Sequence, residues 1–127
     1  MTAPTPGRPP QHPAEPQQKH FFVIFSEAGR RPEELPAQIP AHLEYLTGLE
    51  KRGALFMSGP FLDASGRPGS AGMLIVRAAN ADEASLLAAG DPFHSSGARR
   101  FRVEEWQVHQ GRIDLAVDLS DRTHHLR

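Results

Sequence analysis

The sequence contains no cysteine, and this absence excludes several kinds of chemistry. Without thiols there is no disulfide framework, no thiolate nucleophile and no cysteine-ligated metal site. The chain also lacks a charge imbalance, because 14 basic and 15 acidic residues give a net charge of −1 and the basic residues are scattered. We therefore expect no nucleic-acid partner. No apolar run reaches membrane-spanning length and the N-terminus lacks the apolar core of a signal peptide, so we expect a cytoplasmic protein with no membrane partner.

The 127 residues are enough for one domain with a single core. Residues 1–18 hold six of the twelve prolines and no Leu, Ile, Val or Phe. Such a segment buries too little apolar surface to offset the entropy of ordering, so we predict a disordered arm. The folded domain is expected over residues 19–110 and a C-terminal extension over residues 111–127. In the extension, apolar residues alternate from Ile113 to Leu119, which predicts one more strand, half buried and added to a sheet edge of this chain or of a second subunit.

The order of the other elements predicts the fold class. The apolar run at residues 21–25 indicates a strand buried on both faces, and residues 33–52 show the periodicity of a helix. Prolines at positions 36 and 40 suggest that the regular helix begins near residues 37–40. The next elements are a strand at 55–58, which Gly59-Pro60 then bends or deprives of pairing on one side, and a hairpin partner at 73–76. They are followed by a helix capped by Asn80 and ending before Gly90, and by a strand at 101–108 with a bulge near Glu104-Glu105.

Strand, helix, strand, strand, helix, strand is the βαββαβ order of an α+β, ferredoxin-like domain. Its two helices pack on one face of an antiparallel sheet. Because the first and third strands are apolar throughout, the other face must also be covered. We therefore expect a homodimer that packs sheet against sheet.

Two titratable residues, His42 and Asp91, are candidate functional residues. His42 shares the apolar stripe of the first helix, so its imidazole is expected on the buried face. The stripe consists of Ile39, Leu43, Leu46 and Leu49. Asp91 follows the second helix, where the helix dipole disfavours a carboxylate, and Pro92 holds it in extended backbone. Each residue has a structural interpretation, a core histidine and an Asp-Pro turn, beside a functional one in which His42 transfers protons near neutral pH.

An ordered set of short motifs over residues 21–108 resembles the YciI-like (YCII-related) family. The set is His42-Leu43-x-x-Leu46, Gly53-Ala54-Leu55, Gly59-Pro60, Asp63, Gly66, Gly72-Met73, Glu83-Ala84, Asp91-Pro92-Phe93 and Trp106. That family is similar in fold to muconolactone isomerase and belongs with the dimeric α+β-barrel proteins. The resemblance implies an active-site pair at His42 and Asp91. One branch of the family resembles a dehydrochlorinase that acts on a chlorinated hydroxyhydroquinone.

These observations predict a small-molecule enzyme that uses neither cofactor nor metal. We expect a lyase or isomerase in which His42 is the general base and Asp91 orients it. The alternative is a non-catalytic dimeric protein that binds a small ligand or serves as an accessory protein, with a structural His–Asp pair. A cofactor-independent monooxygenase rests on fold analogy alone.

The expected substrate-binding residues are Ser58, Gly59, Pro60, Phe93 and His94. Two of them have other interpretations, since Ser58 can be satisfied within its strand and His94 can be an exposed histidine. Arg30 and Arg31, in the loop after the first strand, are candidates for holding an anionic substrate.

Overall fold

Four strands form one antiparallel sheet, in which the chain's second, third, first and fourth strands lie side by side in that order. The computed structural model describes residues 20–126, so the predicted arm over residues 1–18 lies outside it. The strands are β1 (His20–Ala28), β2 (Leu55–Leu62), β3 (Pro68–Val76) and β4 (Arg99–Gln107). The helices are α1 (Leu35–Lys51), preceded by a 3-10 turn (Pro32–Glu34), then α2 (Ala81–Ala89) and the single-turn α3 (Pro92–Ser95). This confirms the predicted α+β, ferredoxin-like arrangement. Within residues 20–126, no helix is long and apolar enough to cross a bilayer.

The main core lies between the helices and one face of the sheet. It consists of Phe22, Ile24, Leu74 and Val76 from the strands, with Ala84 and Ala88 from α2. The residues between these along the strands point to the opposite face, which we call the open face. There Phe21, Val23 and Ile75 form a second apolar cluster. The prediction that the first strand is buried on both faces is therefore confirmed.

Strand β2 continues through Gly59-Pro60 to Leu62, beyond the predicted bounds of 55–58. Pro60 pairs with Gly72 of β3. Because β2 is an edge strand, the missing amide hydrogen of proline can face outward without breaking a ladder bond. The edge position, which the sequence does not reveal, explains the longer strand.

The predicted bulge in β4 was also wrong. Its register with β1 is continuous from Arg99 to Gln107. Trp106 was the reason for expecting a bulge, because it falls on the other face from Phe101. The open face is itself apolar, however, and the Trp106 ring lies 6.2 Å from that of Phe21.

Helix α1 begins at Leu35, earlier than predicted, and contains Pro40. A proline this close to the start removes a single intrahelical hydrogen bond, which the rest of the helix tolerates. The expectation that the apolar stripe marks the buried face of the helix was wrong for the first half of the stripe. Leu49 is 3% exposed, but Ile39 and Leu43 are 42% and 56% exposed. These two residues face a cavity rather than the packed core.

The C-terminal extension forms a hairpin of its own. Strand β5 (Leu115–Asp118) pairs with β6 (Thr123–Leu126) in a separate two-stranded sheet. In this chain the predicted addition to a sheet edge was wrong, because the partner of β5 is the chain's own tail. Leu115 and Val117 are 64% and 55% exposed, not half buried. Alternation predicts a strand but does not identify the backbone that pairs with it.

Candidate active site

A cavity of about 520 Å³ lies between α1 and the β2–β3 part of the sheet. This volume is within the usual range for small-molecule sites. It is lined by Ile39, His42, Leu43, Leu46, Ser58, Gly59, Pro60, Pro68, Gly72, Met73, Leu74, Phe93 and Arg99. Five of the predicted site residues, His42, Ser58, Gly59, Pro60 and Phe93, therefore share one cavity.

His42 and Asp91 meet at the wall of this cavity. A 2.8 Å hydrogen bond joins His42 Nδ1 to Asp91 Oδ1. The Asp91 side chain is 1% exposed and the His42 side chain 13%. When Asp91 is ionised its oxygens only accept, so Nδ1 donates this bond, and in the neutral imidazole Nε2 is then the nitrogen with the lone pair. Because His42 lines the cavity, Nε2 is the ring nitrogen that a ligand can reach.

The backbone around Asp91 fixes the direction of its carboxylate. Asp91 has extended backbone angles, φ −68° and ψ 125°, as its position before Pro92 predicted. Its Oδ1 also accepts a 2.9 Å hydrogen bond from the amide of Phe93, so Asp91 is the N-cap of α3. The sequence analysis missed this helix, whose N-terminus favours a carboxylate. The other oxygen, Oδ2, is buried and has no hydrogen-bond partner in the described part of the chain.

Phe93 and Tyr45 hold the neighbouring elements in place. The Phe93 ring stacks on the His42 imidazole at 3.6 Å with an interplanar angle of 6°. The Tyr45 hydroxyl on α1 donates a 2.7 Å hydrogen bond to the carbonyl of Leu87 on α2, and burial raises the pKa of Tyr45. Glycine is needed at position 90 for space, since a Cβ there would lie 2.6 Å from that hydroxyl. These contacts fix the plane of the imidazole and the position of α1 relative to the Asp91 turn.

His94 lies elsewhere, apart from the residues that line the cavity. Its Nδ1 donates a 2.7 Å hydrogen bond to the carbonyl of Ala88, so its Nε2 accepts the 2.8 Å bond from the hydroxyl of Ser26. Burial lowers the pKa of His94, and the hydrogen bond to Ala88 acts in the opposite direction. Neither interpretation from the sequence fits this geometry, because His94 is partly buried with both ring nitrogens engaged inside the fold.

Arg99 is the lining residue that the sequence analysis missed. It begins β4 on the helix side of the sheet, and its Cζ lies 5.0 Å from the centroid of the Phe93 ring. The arginines proposed from the sequence do not line this cavity, and Arg31 instead pairs with Glu34 at 2.8 Å. A signal was present, because Arg99 precedes Phe101 and Val103 at a spacing of two and so shares their inward face. Within residues 20–126, no three His, Asp or Glu side chains cluster as metal ligands.

Comparison with known proteins identifies the family of this chain. The family model described as the YCII-related domain matches residues 19–107. The chain belongs to the YCII-related domain family. The chain is also similar to the uncharacterized protein YjpA of Bacillus subtilis strain 168, with 31% identity over 70 residues that cover 55% of this chain and 76% of YjpA.

A solved structure has the same fold. It is 5-chloro-2-hydroxyhydroquinone dehydrochlorinase (TftG) of Burkholderia phenoliruptrix AC1100 in complex with 2,5-dihydroxybenzoquinone. The two chains are 26% identical and superpose with a TM-score of 0.58. The similarity covers 68% of this chain and 93% of TftG. A family member of the same fold is therefore an enzyme crystallised with a small-molecule ligand.

Proposed function

We propose that this YCII-related protein is a cofactor-free lyase or isomerase in which His42 is the general base and Asp91 orients it. The observation that carries the proposal is the 2.8 Å bond from His42 Nδ1 to Asp91 at the wall of a 520 Å³ cavity. That bond leaves Nε2 as the proton acceptor toward the cavity and stabilises the imidazolium that forms. Positioned acid–base catalysis of this kind contributes on the order of a hundred- to ten-thousand-fold in rate.

The lyase form of the reaction balances without a cofactor. Nε2 takes a phenolic proton, the oxygen becomes a carbonyl, and the imidazolium returns the proton to the ring carbon that bears the halogen. Nε2 then takes the proton of a second hydroxyl. The electron pair left on that oxygen forms a second carbonyl, the ring double bond shifts, and the carbon–halogen bond breaks to release halide. The net loss is HX, and a halogenated hydroxyhydroquinone becomes a hydroxybenzoquinone. In the isomerase form, the proton returns to a different carbon and a double bond migrates.

Similarity to TftG supports the lyase form, since that enzyme is named for the loss of HCl from a small ring compound. The cavity suits such a ligand in size and apolar character. Ser58, Gly59, Pro60 and Phe93 are the proposed substrate-binding residues, because they line the cavity together with His42. His94 is left out of the proposed site because both its ring nitrogens are engaged inside the fold.

The test uses 5-chloro-2-hydroxyhydroquinone under nitrogen, with chloride release and quinone absorbance as readouts. We expect His42→Ala and Asp91→Asn to fold and to lose turnover by about a hundred- to ten-thousand-fold. His109→Ala, on an exposed residue after β4, is the matched histidine control and should retain activity. Chloride release that survives His42→Ala would refute the assignment of the base. Wild-type protein that releases no chloride would refute the lyase form.

One observation favours the alternative, a non-catalytic dimeric protein that binds a small ligand or serves as an accessory protein. Asp91 caps α3 and is fully buried, so the pair also has a structural role available to it. In that case both substitutions would lower stability while ligand affinity and any turnover stayed unchanged. Both functions predict a loss of stability in these variants, so turnover and ligand affinity, measured on protein shown to be folded, separate the two.

We also propose a homodimer that buries the open face. Phe21, Val23 and Ile75 are buried there, but beside them the large apolar side chains of Met57 and Trp106 are 45% and 42% exposed. A contiguous apolar face of this kind marks an interaction surface. Light scattering at micromolar concentration should give the mass of two chains, and Trp106→Arg should lower it. The matched control is Leu86→Arg, on an apolar residue of α2 that is 73% exposed. A wild-type mass near that of one chain would exclude the dimer.

A further inference from the structure

Arg99 is the one lining residue of the cavity that carries a permanent charge. Its Nε is buried and has no hydrogen-bond partner within residues 20–126. In the same described part of the chain, none of the salt bridges includes Arg99. Two arginines of the same strand differ in this respect, since Arg100 pairs with Glu27 and Arg102 with Glu104. Arg99 therefore holds a charge inside the fold that no carboxylate of the described residues neutralises by direct contact.

The surrounding residues are shaped to admit this guanidinium. A Cβ at Gly72 would lie 3.3 Å from Nη1 of Arg99 and 3.0 Å from the carbonyl oxygen of Gly59. A larger residue at position 72 would therefore displace the arginine or the edge strand. On another side, the Phe93 ring contacts both Arg99 and the His42 imidazole. The charge is thus held close to the proposed base.

The charge balance of the cavity favours an anionic ligand. Asp91 lies behind His42 with its side chain 1% exposed, and the lining residues include no carboxylate. Burial lowers the pKa of Arg99, while the negative charge of Asp91 acts in the opposite direction. An arginine stays protonated at neutral pH even so. A partly desolvated cation in an apolar cavity is stabilised when an anion enters and accepts its hydrogen bonds.

We propose that Arg99 forms an oxyanion subsite, which binds the carboxylate, enolate or phenolate oxygen of a small ring compound. The inference rests on the proposed use of this cavity by a small-molecule substrate, and it narrows the substrate class to anionic ring compounds. The guanidinium fork binds the oxygen, and His42 Nε2 is then close to a proton on the same ring. Where the reaction passes through an enolate or phenolate, Arg99 also stabilises the charge that develops on oxygen.

The test measures binding, so it needs no turnover. Benzoate and benzamide have the same ring and similar size but differ in charge, and 4-nitrophenolate with 4-nitroaniline forms a second such pair. Each probe is titrated at mildly alkaline pH into protein labelled with nitrogen-15, following the amide signals of Gly59 and Gly72 beside the guanidinium. We expect an anion to bind more tightly than its neutral partner. Whether benzoate or 4-nitrophenolate shows this preference tells which oxygen the subsite takes.

Arg99→Gln should weaken binding of the preferred anion by about 10- to 100-fold, the contribution expected of hydrogen bonds to a charged group. Affinity for the neutral partner should stay unchanged. Arg99→Lys keeps the positive charge but loses the paired N–H donors of the guanidinium, so part of the anion preference should remain. This variant also keeps the test valid if Arg99→Gln fails to fold. The matched control is Arg100→Gln, which removes the same charge from an exposed neighbour on the same strand.

Three results would overturn the subsite: no binding of either anion at millimolar concentration, equal affinity for anion and neutral partner, or an anion preference that persists in Arg99→Gln. These outcomes are distinct from failure of the proposed function. Anion binding that depends on Arg99, in a protein without turnover, would support the subsite and refute the proposed enzymatic function. Turnover that depends on His42 but not on Arg99, without a preference for anions, would support the enzymatic function and refute the subsite.

Discussion

The bond between His42 and Asp91 predicts an energetic coupling that can be measured without any substrate. Asp91→Asn keeps an oxygen to cap α3, so the main loss is the charged acceptor for His42 Nδ1. His42→Ala removes the donor and leaves a buried carboxylate whose Oδ2 already has no partner in the described chain. An unsatisfied buried partner costs about 1–3 kcal/mol. Each single variant should therefore lower the free energy of unfolding by about that amount.

In the double variant the second change removes an interaction that the first has already broken. The free energy of unfolding should then fall by less than the sum of the single effects, with a difference of about 1–3 kcal/mol. Urea denaturation of the four proteins, with matched slopes against urea, gives this coupling energy directly. Asp91→Ala should cost about 0.5–2 kcal/mol more than Asp91→Asn, because it also removes the N-cap of α3. Additive effects in the cycle would refute the contact between the two side chains.

Two further predictions concern the elements that support the site. Burial lowers the pKa of His94 from 6.5, so the unfolded chain binds a proton at pH values where the folded chain does not. The free energy of unfolding should therefore fall as pH drops below about 6.5, and this slope should be smaller in His94→Gln but not in His109→Gln; identical slopes in all three proteins would refute the buried neutral histidine. Gly90→Ala brings a Cβ within 2.6 Å of the Tyr45 hydroxyl and should cost about 1–3 kcal/mol in thermal or urea unfolding. Tyr45→Phe should recover part of that loss, and no recovery would mean that the crowding lies elsewhere.

The sequence was sufficient for the order of the elements, because hydrophobic periodicity reports which faces of each strand and helix are buried. It also pointed to His42 and Asp91, through an imidazole on an apolar helical stripe and a carboxylate fixed before proline. It could not give sheet position, so the extension of β2 beyond residue 58 to Leu62 was not predicted. It could not separate burial in the core from exposure to a cavity, and so Ile39 and Leu43 were assigned to the core.

The role of Arg99 depended on information that periodicity does not carry. Its spacing from Phe101 places it on the inward face, but only the fold shows that this face meets the cavity there and that Gly72 leaves room for the guanidinium. The capping of α3 by Asp91 was missed for a similar reason, since a single-turn helix has too few residues to show a period.

The oxygen Oδ1 of Asp91 accepts hydrogen bonds from both the α3 amide and the imidazole of His42. A substitution that moves this oxygen disturbs both the capping of α3 and the orientation of His42. This wall of the cavity therefore tolerates few substitutions. The opposite wall is the outer part of β2, where Ser58 and Pro60 lie on an exposed edge strand that supports little else. Substitutions that reshape the cavity for a new ligand should therefore cost the least stability in β2. Variants designed to change the substrate range should alter that edge strand and keep the Asp91 turn.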